Sequence, residues 1–149
     1  VFRCVLKCPE CKERWSFNNF DGCVVVNMMK FSILVCDDSA VARKQVVRCL
    51  NECIDADIQQ AINGANALDL LRAQNFDLLC LDLTMPEVDG IQVLETIKTE
   101  KIECFVLVIS ADIQEKMKQR VAQLGAIDFI DKPINKSSLN EILHKFGIH

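Results

Sequence analysis

The sequence predicts an α/β domain built on a mostly parallel sheet. From residue 31 onward, short apolar runs alternate with segments whose apolar residues recur at helical spacing. Acids, a hydroxyl and a lysine also stand directly after those runs, where open parallel sheets present ligand-binding groups. With 149 residues, 50% of them hydrophobic and 26% charged, the chain can build one globular core, and no second full domain is expected.

The elements follow in order. Ile33-Leu34-Val35-Cys36 reads as the first strand, apolar on both faces. Ala42, Val46, Cys49 and Leu50 then share one helical face, with Arg43, Lys44 and Arg48 opposite. Asp57 to Ala61 mixes apolar and polar residues as an edge strand does, and Ala65 to Ala73 reads as helix. Phe76 to Leu81 reads as a strand, wholly apolar over Leu78 to Leu81, followed by the turn-forming stretch "LTMPEVDG" and a helix from Gly90 to Lys98. Cys104 to Ile109 is a strand, and Ile113, Met117, Val121 and Leu124 mark the apolar side of the next helix. Ala126 to Ile130 is the last strand. Leu139, Ile142, Leu143 and Phe146 line the last helix, with Ser138 and Glu141 at capping-box spacing at its start.

The strand ends carry the chemistry. The first strand ends in Asp37-Asp38, the third in Asp82, the fourth in Ser110 and the fifth in Asp131-Lys132-Pro133. In a parallel sheet these ends share one rim, so the carboxylates of Asp37, Asp38 and Asp82, a hydroxyl and an ammonium should gather there. Neighbouring carboxylates repel, and Lys132 can neutralise only one of them, so the cluster calls for a cation. All-oxygen ligation with retained water suits Mg²⁺. A carboxylate beside Mg²⁺ and a lysine is equipped to attack phosphorus, because both cations balance the phosphoryl oxygens.

Four motifs in this order, "VCDDS", "LDLTMPEVDG", "VISA" and "DFIDKPI", resemble those of the response-regulator receiver family, in its single-domain, CheY-like chemotaxis form. The resemblance covers residues 30–149. It implies a flavodoxin-like, doubly wound sheet of five parallel strands in the order 2-1-3-4-5, flanked by five helices. It implies that Asp82 accepts a phosphoryl group from a sensor histidine kinase, and that Asp37, Asp38, Asp82 and the backbone carbonyl of Thr84 hold Mg²⁺. Lys132 would pair with the phosphoryl group, Ser110 would reposition to bond it, and Phe129 would turn inward as the switch aromatic. The Lys132–Pro133 bond would be cis, and a target protein would bind the face of helix 4, strand 5 and helix 5. Lys116, Lys118 and Arg120 on helix 4 fit an acidic partner there. Such a protein is a signalling switch in a two-component system, not an enzyme beyond its own phosphorylation and autodephosphorylation. Ser110 stands where many relatives have Thr, and Phe129 where some have Tyr. Thr84 and Asp112 sit where side chains tune attacking water. A haloacid-dehalogenase-type phosphatase is the enzyme alternative, but it needs a second Asp at the position of Thr84. A receiver-like scaffold that is never phosphorylated is the other alternative.

A net charge of −4 gives no global basic field for nucleic acid or an anionic membrane. No apolar run approaches the roughly 18 residues of a membrane span, and no signal-peptide core opens the chain, so a cytoplasmic setting is expected. The nine cysteines are dispersed and odd in number, which fits reduced thiols better than a disulfide framework. Only one helix fits after Lys132, so no output domain is expected to follow. Residues 1–29 differ from the rest. They are expected to be a cysteine-containing extension without regular structure, or translation upstream of a start at Met29. The alternative is a zinc-bound appendage on Cys4, Cys8, Cys11 and Cys23.

Overall fold

In the computed structural model, residues 3–7, 14–20, 23–28, 30–111 and 114–148 are described. They divide into two units, one ending at Lys30 and one spanning Phe31–Ile148.

The first unit is a three-stranded antiparallel sheet, where the sequence reading expected no regular structure. Its strands are β1 (Arg3–Lys7), β2 (Arg14–Phe20) and β3 (Cys23–Met28), in that order across the sheet. Register explains why these residues form strands. Cys4 stands opposite Phe17 and Phe17 opposite Val26, while Leu6 stands opposite Trp15 and Trp15 opposite Met28. Alternation therefore puts these apolar positions on a single face. The same register separates Cys4 from Cys23, which pairs with Phe20. Two strand spacings across and three residues along place their Cα atoms about 14 Å apart. Cys8 and Cys11 lie outside the described residues.

In the second unit, β4 (Phe31–Cys36) is followed by α1 (Ala40–Cys53), β5 (Ala56–Ala61) and α2 (Gly64–Ala73). Then come β6 (Leu78–Leu81), α3 (Gly90–Glu100), β7 (Phe105–Ser110), α4 (Glu115–Gln123), β8 (Asp128–Asp131) and α5 (Lys136–Lys145). The sheet runs β5-β4-β6-β7-β8, all parallel, which is the order 2-1-3-4-5 expected for its five strands. Alternate residues of the central strands feed opposite cores. Leu34, Leu79, Leu81, Val106 and Val108 pack with Leu68 and Leu71 of α2, Leu94 of α3 and Val121 of α4. Ile33, Val35, Leu78, Leu107 and Ile109 pack with Val46 and Leu50 of α1 and Leu139 and Leu143 of α5. Both faces are covered, which is why these strands read as continuous apolar runs.

Several boundaries differ from the sequence reading, each for a local reason. β6 begins at Leu78 rather than Phe76, because Asp77 is spent on Ser32: its amide donates to the Ser32 carbonyl and its carboxylate accepts from the Ser32 amide, both at 2.8 Å. α5 starts a turn earlier than the Ser138–Glu141 capping box implies. Asn135 is its cap, accepting from the Ser138 amide at 2.8 Å. Cys104 falls outside β7 and is only half-buried, whereas Cys36 and Cys80 are buried. Burial, and at Cys36 also the charges of Asp37 and Asp82, pushes the Cys36 and Cys80 thiols up to about 12. Both therefore stay protonated and pack as small hydrophobes.

Because the second unit completes both cores within Phe31–Ile148, a chain shortened to begin at Met29 is expected to unfold in one cooperative step. Its urea midpoint, followed by far-ultraviolet circular dichroism, should match that of the corresponding transition in the full chain. A broad or strongly shifted transition would show that the first unit is needed for folding.

Candidate functional site

Register fixes the heart of the site. Cys36, the last residue of β4, stands opposite Leu81, the last of β6. Asp37 and Asp82 thus leave the sheet side by side. Asp37 is buried and held at four points. Its amide donates to the Ala61 carbonyl at 3.3 Å, and its carbonyl accepts from Arg43 Nη1 at 2.7 Å. Its carboxylate accepts from the Ser39 amide at 2.9 Å and from Lys132 Nζ at 2.6 Å. Ser39, not either acid, caps α1, accepting from the Ala42 amide at 3.3 Å. Capping therefore does not account for the Asp37-Asp38 pair. Asp38 is exposed, yet it offers a carboxylate oxygen within 4.8 Å of oxygens from Asp37 and Asp82.

Asp82 is buried at the end of the most enclosed strand, with its amide bonded to the Cys36 carbonyl at 3.0 Å. The turn after it is tight. A Cβ on Gly90 would sit 2.5 Å from the Asp82 carbonyl oxygen and 2.8 Å from Leu83 Cα, both main-chain atoms, so only glycine fits. Just before Gly90, Asp89 caps α3 in a reciprocal box with Gln92. The Pro and Gly turn in the sequence is thus what folds α3 back against the Asp82 backbone while its carboxylate faces the rim.

Lys132 arrives from the end of β8. Its amide donates to the Ser110 carbonyl at 3.0 Å, tying the two residues together, and the Lys132–Pro133 bond is cis. Its Nζ lies 2.6 Å from Asp37 and 3.4 Å from Asp82. Ser110 is fully buried. Phe129 of β8 is half-buried against the core containing Val108, and Lys118 Nζ lies 5.1 Å from its ring centroid. Lys118 also pairs with Asp131 at 3.3 Å. Asp112 and Ile113 lie outside the described residues.

The electrostatics follow from burial and charge. Burial first, then the Asp37 charge, lifts Asp82 above the usual carboxylate range, while Lys132 and the Thr84 amide pull it back. For Lys132, burial alone is unfavourable to charge, but the hydrogen bond to Asp37 and the charges of Asp82 and Asp37 outweigh it. Its pKa stands above the ordinary lysine value. Three carboxylates against one ammonium leave the pocket negative. The donors are all oxygen, converge from two neighbouring strand ends and include one exposed acid, which fits a hard divalent cation such as Mg²⁺.

The chain matches the response regulator receiver domain over residues 33–144. It belongs to that family. Among its relatives is the chemotaxis protein CheY of Bacillus subtilis, 34% identical over 117 residues, covering 78% of this chain and 98% of that protein. Another is a protein-glutamate methylesterase/protein-glutamine glutaminase of Clostridium acetobutylicum, 35% identical over 119 residues, covering 77% of this chain. The chain spans only 34% of that methylesterase, and 28% of its counterpart in Treponema pallidum. Among solved structures, the CheX-CheY-BeF3-Mg²⁺ complex of Borrelia burgdorferi matches with a TM-score of 0.74 and 27% identity, covering 82% of this chain and 92% of that one. Chemotaxis protein CheY4 of Vibrio cholerae shares the fold with a TM-score of 0.71 at 23% identity, over 78% of this chain and 98% of that one. Receiver domains are signalling switches that bind Mg²⁺ at an acidic pocket, and the Asp37, Asp38 and Asp82 cluster is compatible with that use.

All the predicted side chains that lie on strand ends are brought to one rim, with Phe129 behind it. Two contributors escaped the sequence reading. The sequence puts Arg43 on the polar face of its helix, and Gly90 at the turn and start of α3, without showing that either supports the site. The spacing of Arg43, one helical turn past Ser39, was the available signal.

The raised pKa of Asp82 has a defined pH consequence. Without metal, its contribution to stability is full below the ordinary carboxylate value and is lost as pH rises through the raised folded value. In EDTA, Asp82→Asn should therefore raise the melting temperature more at pH 7 than near pH 4. An equal gain at both pH values would show that the ionised Asp82 carries no folding penalty.

Proposed function

We propose that Asp82 is the phosphoryl acceptor of this receiver and that its phosphorylation by a sensor histidine kinase changes binding to a target protein. The observation that carries this reading is the buried Asp82 carboxylate, with Lys132 Nζ at 3.4 Å and the Asp37 and Asp38 oxygens within 4.8 Å. Asp37, Asp38, Asp82 and the Thr84 carbonyl would hold Mg²⁺, which when bound neutralises charge on the phosphoryl oxygens. A carboxylate oxygen of Asp82 attacks phosphorus, the phosphorus–nitrogen bond of the phosphohistidine breaks, and the imidazole leaves with the bonding pair. Lys132, now shared by Asp37 and Asp82, turns to a phosphoryl oxygen. Ser110 donates its hydroxyl to another, and Phe129 swings inward as Ser110 moves. Thr84 is exposed and offers no carboxylic acid, so the acid that a haloacid-dehalogenase-type phosphatase needs at that position is missing.

The target surface in this reading is the face of α4, β8 and α5. Its α4 cations already meet acids of this chain: Lys118 pairs with Asp131 and Arg120 with Glu95, each at 3.3 Å. Exposed pairs of this kind are worth only about 0–1 kcal/mol, so carboxylates of an acidic partner can replace them. Among the described residues no helix is long and apolar enough to cross a membrane.

With Mg²⁺ and acetyl phosphate, intact mass should rise by one phosphoryl group in a base-labile linkage, and Asp82→Asn should abolish the gain. Undiminished labelling of that variant would remove Asp82 from the mechanism, and no labelling of the native chain would favour a receiver-like scaffold.

Lys132→Ala and, less severely, Ser110→Ala are expected to leave Mg²⁺ binding intact while weakening the dependence of target binding on phosphorylation. A fully phosphorylation-dependent interaction in either variant, measured by pull-down with both forms of the protein, would count against that residue's part in the switch.

A further inference from the structure

Asp37 and Asp38 are not held alike. The Asp37 side chain has two firm partners, the Ser39 amide at 2.9 Å and Lys132 Nζ at 2.6 Å. Asp38 is exposed, and its carboxylate must be aimed by the backbone that carries it. The peptide plane joining the two residues contains the Asp37 carbonyl, and that oxygen accepts from Arg43 Nη1 at 2.7 Å. The same guanidinium donates through Nε to Gln60 Oε1 on β5 at 3.2 Å. Arg43 thus braces the 37–38 peptide against the edge strand. On the other side, the Asp37 amide is bonded to Ala61, the residue after Gln60. A planar fork makes the two bonds from two different nitrogens in fixed directions, whereas an ammonium has a single nitrogen and no fixed fork.

We infer that Arg43 is a positioning residue for the metal pocket, fixing the Asp37–Asp38 peptide so that the Asp38 carboxylate converges on Asp37 and Asp82. This rests on the Mg²⁺ reading above. Two effects of Arg43 oppose one another. Its positive charge near the carboxylates disfavours a second cation, whereas its brace keeps an exposed ligand in place before the metal arrives. The brace dominates, because its bond to the pocket is made to the main chain. There a lost partner loosens the 37–38 peptide plane itself, which the remaining bonds to the Asp37 amide and carboxylate do not hold.

The test is the Mg²⁺ dissociation constant of the full, unphosphorylated chain by titration calorimetry, together with amide hydrogen exchange at Asp38 and Ser39. Removing an outer partner of a metal ligand typically weakens binding about 10- to 100-fold, and Arg43→Ala should fall in that range, with faster exchange at both amides. Arg43→Lys should fail to rescue it. Gln60→Ala should weaken binding less, and adding it to Arg43→Ala should cost nothing further. Mg²⁺ bound by Arg43→Ala as tightly as by the native chain, or more tightly, overturns the inference. So does full rescue by lysine, since charge would then be the operative property. A role in general stability alone would lower the melting temperature of the metal-free variants and leave the dissociation constant unmoved, which also overturns it. Should Arg43→Ala not fold, Arg43→Lys and Gln60→Ala carry the same decision. Native protein that binds no Mg²⁺ instead sinks the metal reading itself, and this inference with it.

Discussion

One ammonium group holds the acidic rim together. Lys132 Nζ lies between Asp37 and Asp82, two carboxylates that would otherwise face each other with little water to screen them. The rest of the domain is arranged around bringing those three groups to one point. β4 and β6 must be neighbours, so that Asp37 and Asp82 emerge together. β8 must end beside Ser110, so that the lysine starts from the right height. The ammonium compensates only part of the negative charge, and the remainder makes the pocket receptive to a cation. A second lysine there would stabilise the metal-free fold and weaken the site. The pocket is therefore left underneutralised, a standing cost to stability at the place where function needs it.

The fold and most of the site were legible in the sequence because their signals are strong and local. Buried parallel strands appear as unbroken apolar runs, and an acid placed directly after such a run has no packing reason to be there. That is why Asp37, Asp82 and Lys132 stand out in the sequence itself. What could not be read depends on contacts between distant elements. Arg43 looks like any solvated helix residue until Gln60 and the Asp37 carbonyl are placed around it. The start of α5 lies a turn before the Ser138–Glu141 box because both Asn135 and Ser138 are good caps, and only the helix geometry chooses between them.

The antiparallel sheet before Lys30 was missed for a related reason. Each of its strands is short, and its alternation is blurred, as in Cys23-Val24-Val25-Val26. Only the register, setting Phe17 between Cys4 and Val26, shows that apolar positions of three weak segments coincide on one face. The cysteines of this segment offer a zinc site only as the alternative reading.

The Lys132–Asp37 contact joins residues 95 positions apart. Contacts of such separation are reached only after a large loss of chain entropy, and parallel pairing offers no hairpin to shorten the search. Every stretch of chain short enough to close quickly contains at most a fraction of the pocket. The complete acidic pocket is therefore a property of the finished sheet, and a nascent or partly unfolded receiver has no residual version of it. An ion held there would bind only the folded domain, so a metal-responsive signal would also report on the integrity of the whole domain.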